Sequence, residues 1–89
     1  MSAFFFFFFF KKLTALREQY GMSENELASI IGVHNSTIRR WERNDRVPIN
    51  ERIRKMADFF GITTDDLIMD EVSVDEILEK SKIAKYNNH

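Results

Sequence analysis

The chain contains no cysteine. A disulfide framework and a thiolate metal site are therefore excluded, and a reducing, cytoplasmic compartment fits. Its two histidines, His34 and His89, lie too far apart for ligand spacing, so no zinc site is expected. One proline and three glycines leave little to interrupt regular structure. No glycine-rich loop is present to cradle phosphates, and no cofactor is expected. Ser23, Ser29, Ser36, Ser73 and Ser81 lack any base-and-orienter set, so the chain reads as a non-enzyme. Asp65, Asp66, Asp70 and Glu71 read as helix capping and solvated charge rather than metal ligands.

What is present is a globular balance, 44% apolar and 30% charged, in 89 residues. That suits one small domain with a limited core. The net charge of −1 conceals an asymmetry. From Lys11 to Met56 there are ten basic residues against six acidic ones, a net of +4. From Ala57 to His89 there are eight acids against three lysines, a net of −5. A basic front and an acidic back suit a surface that faces a polyanion at one end only.

Helical spacing recurs along the chain. Leu13, Leu16 and Tyr20 share one face of a first helix that Gly21 ends. Ser23 and Glu26 form a capping box for a second helix, with Leu27, Ala28 and Ile31 inward and Gly32 closing it. A third helix begins near His34 or Asn35 and buries Ile38 and Trp41, with Val33 packed in the turn. A polar loop ends at Pro48. A fourth helix runs from about Asn50 to Phe60, with Ile53, Met56, Ala57 and Phe60 inward. Thr63 or Thr64 caps a short fifth helix carrying Leu67 and Ile68. "SVDE" is a further capping box, opening a sixth segment from about Val74 to Tyr86 before a frayed "YNNH".

Ala28, Gly32 and Ile38 carry the informative spacing. A small side chain at Ala28 allows a close crossing, Gly32 permits a positive φ, and Ile38 anchors the next helix. This is a helix-turn-helix arrangement. "LREQYGMSENELASIIGVHNSTIRRWERNDRVP" followed by "KMADFFGITTDDLI" resembles the lambda-repressor-like, Cro-type helix-turn-helix domains of the XRE family. The resemblance covers roughly Phe9 to Ile68. It implies an all-α fold: a compact lambda-repressor-like five-helix bundle whose third helix enters the DNA major groove. The sixth segment would follow it at the C-terminus. The expected organisation is an anomalous poly-phenylalanine stretch at 1–8, the DNA-binding domain at 9–69 and an acidic helical tail at 70–89.

Residue by residue, the resemblance implies a structural ion pair between Arg17 and Glu42. It places base reading on Asn35, Ser36, Arg39 and Arg40, since arginine bonds guanine and asparagine bonds adenine in a bidentate manner. Ser23, Thr37, Arg43, Asn44 and Arg46 are the candidates for phosphate contacts. Two positions depart from the family pattern. Glu24 stands where glutamine usually contacts phosphate, and Asn44 replaces a loop glycine while tolerating a left-handed conformation. Trp41 is assigned to the core rather than to base stacking, and His34 to the turn or cap beside phosphate.

The function implied is a sequence-specific double-stranded DNA-binding transcriptional regulator, a repressor bound as a homodimer to a pseudo-palindromic operator. The alternative is an antitoxin-like protein-interaction module of the same fold, gripping a protein partner through the acidic C-terminal segment. Val74, Ile77, Leu78, Ser81 and Ala84 form a semi-apolar stripe that serves either a dimer or the domain's own packing.

The seven phenylalanines from Phe4 to Phe10 remain. A membrane span needs about twenty apolar residues, and a signal peptide carries its positive charge before the apolar run rather than after it. Only one ring, roughly Phe9, has an expected place, stapling the first helix to the core. The remainder reads as an artefactual homopolymer, a placeholder or a stretch left where a tag often sits. Deleting Ser2 to Phe8 is expected to leave folding and DNA binding intact.

Overall fold

The computed structural model describes residues 8–87. Most of the anomalous stretch, residues 1–7 with Phe4 to Phe7, and the terminal Asn88 and His89 lie outside the described residues. Six helices follow one another: α1 (Phe9–Gln19), α2 (Glu24–Ile31), α3 (Asn35–Glu42), α4 (Asn50–Phe60), α5 (Thr64–Ile68) and α6 (Val74–Asn87). No strand occurs among the described residues.

Local chemistry sets the helix starts. The Ser23 hydroxyl accepts from the Glu26 N–H at 3.0 Å, and the Ser23 N–H donates back to the Glu26 carboxylate at 2.8 Å. Thr63 and Asp66 repeat the same reciprocal bonds ahead of α5, at 3.0 and 3.1 Å. Aspartate thus performs there what glutamate does in the usual box. At α6 only half of the expected box forms. Ser73 accepts from the Glu76 N–H at 3.1 Å, but the Glu76 carboxylate lies along the helix, 3.6 Å from Lys80 Nζ.

Left-handed residues set the stops. Gly32 has φ 86°, and the Gly32 and Val33 amides both return to the Ala28 carbonyl, at 2.8 and 3.0 Å. The chain can then reverse into α3 within three residues. Asn44, at φ 63°, does the same after α3. Its N–H reaches the Trp41 carbonyl at 3.2 Å and the Asp45 N–H reaches the Arg40 carbonyl at 2.9 Å. This is the paired-bond pattern normally built on glycine, and asparagine tolerates it.

The apolar stripes converge on one core. Phe9, Leu13 and Leu16 of α1 meet Leu27, Ala28 and Ile31 of α2, Ile38 and Trp41 of α3, and Ile53, Met56 and Phe60 of α4. Leu67 of α5 and Ile77 of α6 close it. Each fully buried Leu or Ile contributes roughly 1.5–3 kcal/mol. Phe9 is the first residue of α1 and is buried. Phe8 keeps its amide on Asp70 Oδ1 at 3.2 Å, so the chain is tied down one residue earlier than expected.

The semi-apolar stripe of α6 is turned onto the domain itself. Ser81 donates to the Phe60 carbonyl at 2.6 Å and lies 3.1 Å from the Tyr20 hydroxyl. Gln19 Nε2 donates to the Leu78 carbonyl at 3.1 Å. Ala84 packs so closely over Gly61 that a Cβ placed on that glycine would lie 2.5 Å from the Ala84 Cβ. Only glycine accommodates both this approach and φ 74°.

Lys12 corrects the reading of the basic front. It is 1% exposed, and its ammonium donates to the carbonyls of Asp66 at 2.8 Å and Met69 at 2.6 Å. These carbonyls lie at the end of α5; that of Met69 also accepts from the Val72 N–H at 3.2 Å. Burial lowers the Lys12 pKa, and Asp70, Asp66, Glu71 and Glu76 pull it back upward.

Candidate nucleic-acid interface

α3 is amphipathic in the manner its sequence requires. Ile38 and Trp41 face the core and are buried. At a hundred degrees per residue, the opposite side presents Ser36, Arg40 and Arg43, flanked by Asn35 and Arg39 on one side and Thr37 on the other. Arg39, Arg40 and Arg43 are exposed, as are Asn44 and Arg46 in the loop that follows. The four base-reading candidates and the arginines assigned to phosphate therefore share one surface. Thr37 and Arg46 line one shallow hollow of about 270 Å³, together with Val33, Val47, Pro48 and Arg52.

The start of α3 is fixed by its own side chains. His34 is the N-cap, its Nδ1 accepting from the Ser36 N–H at 3.2 Å and lying 2.9 Å from the Ser36 hydroxyl. Ser23 is the N-cap of α2, two residues before Asn25, whose side chain meets Asn35. Its hydroxyl already accepts from Glu26, which leaves its proton for another acceptor.

Beneath α3 lies the Arg17–Glu42 pair. Arg17 Nε donates to Glu42 Oε2 at 2.7 Å and Nη2 donates to Oε1 at 3.1 Å, a bidentate fork. Arg17 Nη1 also donates to the Met22 carbonyl at 2.9 Å. The side chains are 15% and 7% exposed. The Glu42 hydrogen bond holds the Arg17 guanidinium above the usual arginine range. Burial pushes the Glu42 carboxyl above its ordinary value against the pull of Arg17, and the nearby Glu24 carboxylate pushes the same way. The pair pins the end of α3 to α1 and to the turn before α2.

Two contacts on this surface carry no sequence signal. Asn35 Nδ2 donates to Asn25 Oδ1 at 2.6 Å, and Arg39 Nε lies 3.5 Å from Glu24 Oε1. Residues ten and fifteen positions apart meet here only because the turn folds α2 against α3. Arg52 is also drawn away from the free basic surface, its Nη1 donating to the Ile31 carbonyl at the end of α2 at 3.4 Å. With Lys12 and Arg17 engaged as well, the exposed cations of the front are Lys11, Arg39, Arg40, Arg43, Arg46, Arg54 and Lys55.

Among the described residues, no three of His, Asp and Glu converge as a metal ion would need, and no helix is long and apolar enough to cross a membrane.

Comparison with known proteins follows the same geometry. A family model described as helix-turn-helix matches residues 13–67, from the buried face of α1 to α5. The cryptic phage CTXphi transcriptional repressor RstR of Vibrio cholerae is 36% identical over 73 residues, covering 81% of this chain and 65% of that protein. The HTH-type transcriptional regulator ImmR of Bacillus subtilis is 30% identical over 64 residues, covering 71% of the chain and 50% of ImmR. The HTH-type transcriptional activator BcrR of Enterococcus faecalis is 28% identical over 81 residues, covering 89% and 40%. The chain thus spans less than two thirds of the length of each of these relatives. No solved structure matches it.

Proposed function

The chain belongs to the helix-turn-helix family, and on that premise we propose that it is a sequence-specific double-stranded DNA-binding transcriptional regulator. The observation that carries this reading is the exposed row of Arg39, Arg40, Arg43 and Arg46 along the last turn of α3 and the loop that follows it. In this reading Asn35, Ser36, Arg39 and Arg40 read base edges in the major groove. Ser23, Thr37, Arg43, Asn44 and Arg46 hold phosphates and set the register.

A single domain of 35 × 29 × 20 Å covers only one half-site, and half-sites on one face of DNA repeat at about 34 Å. Two copies side by side on a pseudo-palindrome fit that spacing. The mode of action proposed is repression, because a dimer seated on its operator excludes polymerase without any further activity. RstR, a repressor by name and the most identical of the three relatives, favours this over activation.

The test is a fluorescence-anisotropy titration with mixed-sequence duplex at two salt concentrations. Affinity is expected to fall steeply with salt, as counterion release requires. Absence of binding at low salt would overturn the reading. Arg40→Ala is expected to lose about 1–3 kcal/mol of preference for a selected site over random DNA. An equal loss on both would make Arg40 a phosphate contact only.

A further inference from the structure

α2 begins with a carboxylate placed against the reader. Glu24 is the first residue of α2, its side chain is 28% exposed, and its Oε1 lies 3.5 Å from Arg39 Nε. A negative charge at a helix start is favourable in itself. That alone does not account for its direction. Glu24 points toward α3, where it meets a second carboxylate, Glu42, that is already paired with Arg17. A carboxylate serving the helix end alone would gain by turning away from Glu42, and Glu26 already supplies charge and cap at the same terminus. What the observed direction achieves is neutralisation of Arg39. It also presents a negative group on the surface that must approach phosphate.

We propose that Glu24 is a specificity-determining residue that acts through Arg39, holding its guanidinium as a stand-in phosphate would and penalising DNA that offers Arg39 no matching base. The inference rests on the DNA-binding reading above. On random duplex, Arg39 exchanges one anionic partner for another, a phosphate, while Glu24 is pushed against the backbone. Little is gained. On a cognate site the guanidinium exchanges the carboxylate for a base edge, and the bidentate geometry of that contact offsets the loss. Asn25 plays the accompanying part for Asn35, keeping its amide on the protein at 2.6 Å until an adenine edge replaces it. Glu24 therefore lowers general affinity more than cognate affinity, which is how an unfavourable contact produces selectivity.

The experiment compares the unaltered chain with Glu24→Gln, Arg39→Gln and the double variant. Each is titrated with mixed-sequence duplex and with a site selected by the unaltered chain, at two salt concentrations. Glu24→Gln is expected to bind mixed duplex about tenfold more tightly, since Arg39 no longer gives up a carboxylate to reach a phosphate. Its salt slope should steepen by up to about 0.9, the one phosphate charge that Glu24 no longer offsets. The gain on the selected site should be smaller, so the ratio of cognate to random affinity falls. In the Arg39→Gln background the gain on mixed duplex should shrink to under threefold. Affinity of Glu24→Gln for mixed duplex within twofold of the unaltered chain would overturn the proposal and leave Glu24 a helix-end charge. An equal gain with and without Arg39 would overturn it as well, assigning the effect to net charge. In both cases the unaltered chain binds DNA and the regulator reading stands. Failure of all four proteins to bind at low salt would overturn that reading and this one together.

Discussion

At the end of the molecule built by α1, α5 and α6, polar side chains are committed to the protein itself. Lys12 is sealed against two carbonyls, Ser81 against another, and Asp66 between Thr63 and Lys80. Around α3 the polar side chains are held only by their neighbours on the same surface, through single contacts between Asn35 and Asn25 or Arg39 and Glu24. A buried polar group that lost its partner would cost about 1–3 kcal/mol, so the first set cannot be released cheaply. The second set faces water and can exchange partners at little cost. On the proposed DNA-binding reading, the difference separates scaffold from reader: groups that already have buried partners fix shape, and groups with replaceable partners are those free to recognise something else. The Arg17–Glu42 fork belongs to the first kind although it sits under α3, and it makes the reader's base rigid.

This contrast can be broken at several points. The largest effect is expected for Arg17→Ala, which leaves Glu42 buried without its partner and should cost about 3–5 kcal/mol in urea denaturation. An unchanged midpoint would mean that the fork is not what holds α3. Lys12→Met keeps the volume but leaves the Asp66 carbonyl without a donor and the Met69 carbonyl with the Val72 N–H alone. It should cost about 2 kcal/mol, while the folded fraction keeps its preference between cognate and random DNA. A changed preference would show that the two ends are not separable.

The smallest effect is on the acid side of the stability profile. Burial pushes the Asp66 carboxyl up, but hydrogen bonds from Lys80 and Thr63 together hold it below the usual aspartate range. Its stabilising contribution is therefore present at neutral pH. It is lost as pH falls from about 4 toward the lower folded-state value. Glu42, held above its ordinary value, has the opposite sign, and its contribution grows as pH falls through that value. Melting temperatures between neutral and strongly acidic pH should thus decline less steeply in Asp66→Asn than in the unaltered chain, and more steeply in Glu42→Gln.

Much of the scaffold was legible in the sequence because its signals are local. Ser23 with Glu26, Gly32 at the turn, and the spacing of Leu13, Leu16, Ile38 and Trp41 each act within about one helical turn, where sequence distance and spatial distance agree. Phe9 could be placed by counting back along the same stripe. Lys12 was misread because lysine is nearly always outward. Its position between Phe9, Leu13 and Leu16 on the buried face of α1 was the signal that it faces inward. The Glu24–Arg39 and Asn25–Asn35 contacts could not be read, since they exist only after α2 and α3 are folded together. The stripe on α6 fitted two partners equally well; the burial of Ile77, the approach of Ala84 to Gly61 and the bonds of Ser81 decide for the domain's own core.

The central claim is that the α2–α3 surface, and not the α5–α6 end, meets DNA. Titrating isotopically labelled protein with a short duplex and following backbone amide shifts tests it directly. The account predicts salt-sensitive shifts at Ser23 to Asn25, at His34 to Arg40 and in the loop from Arg43 to Arg46, with α6 unmoved. Shifts centred on α6, or none at low salt, would contradict it.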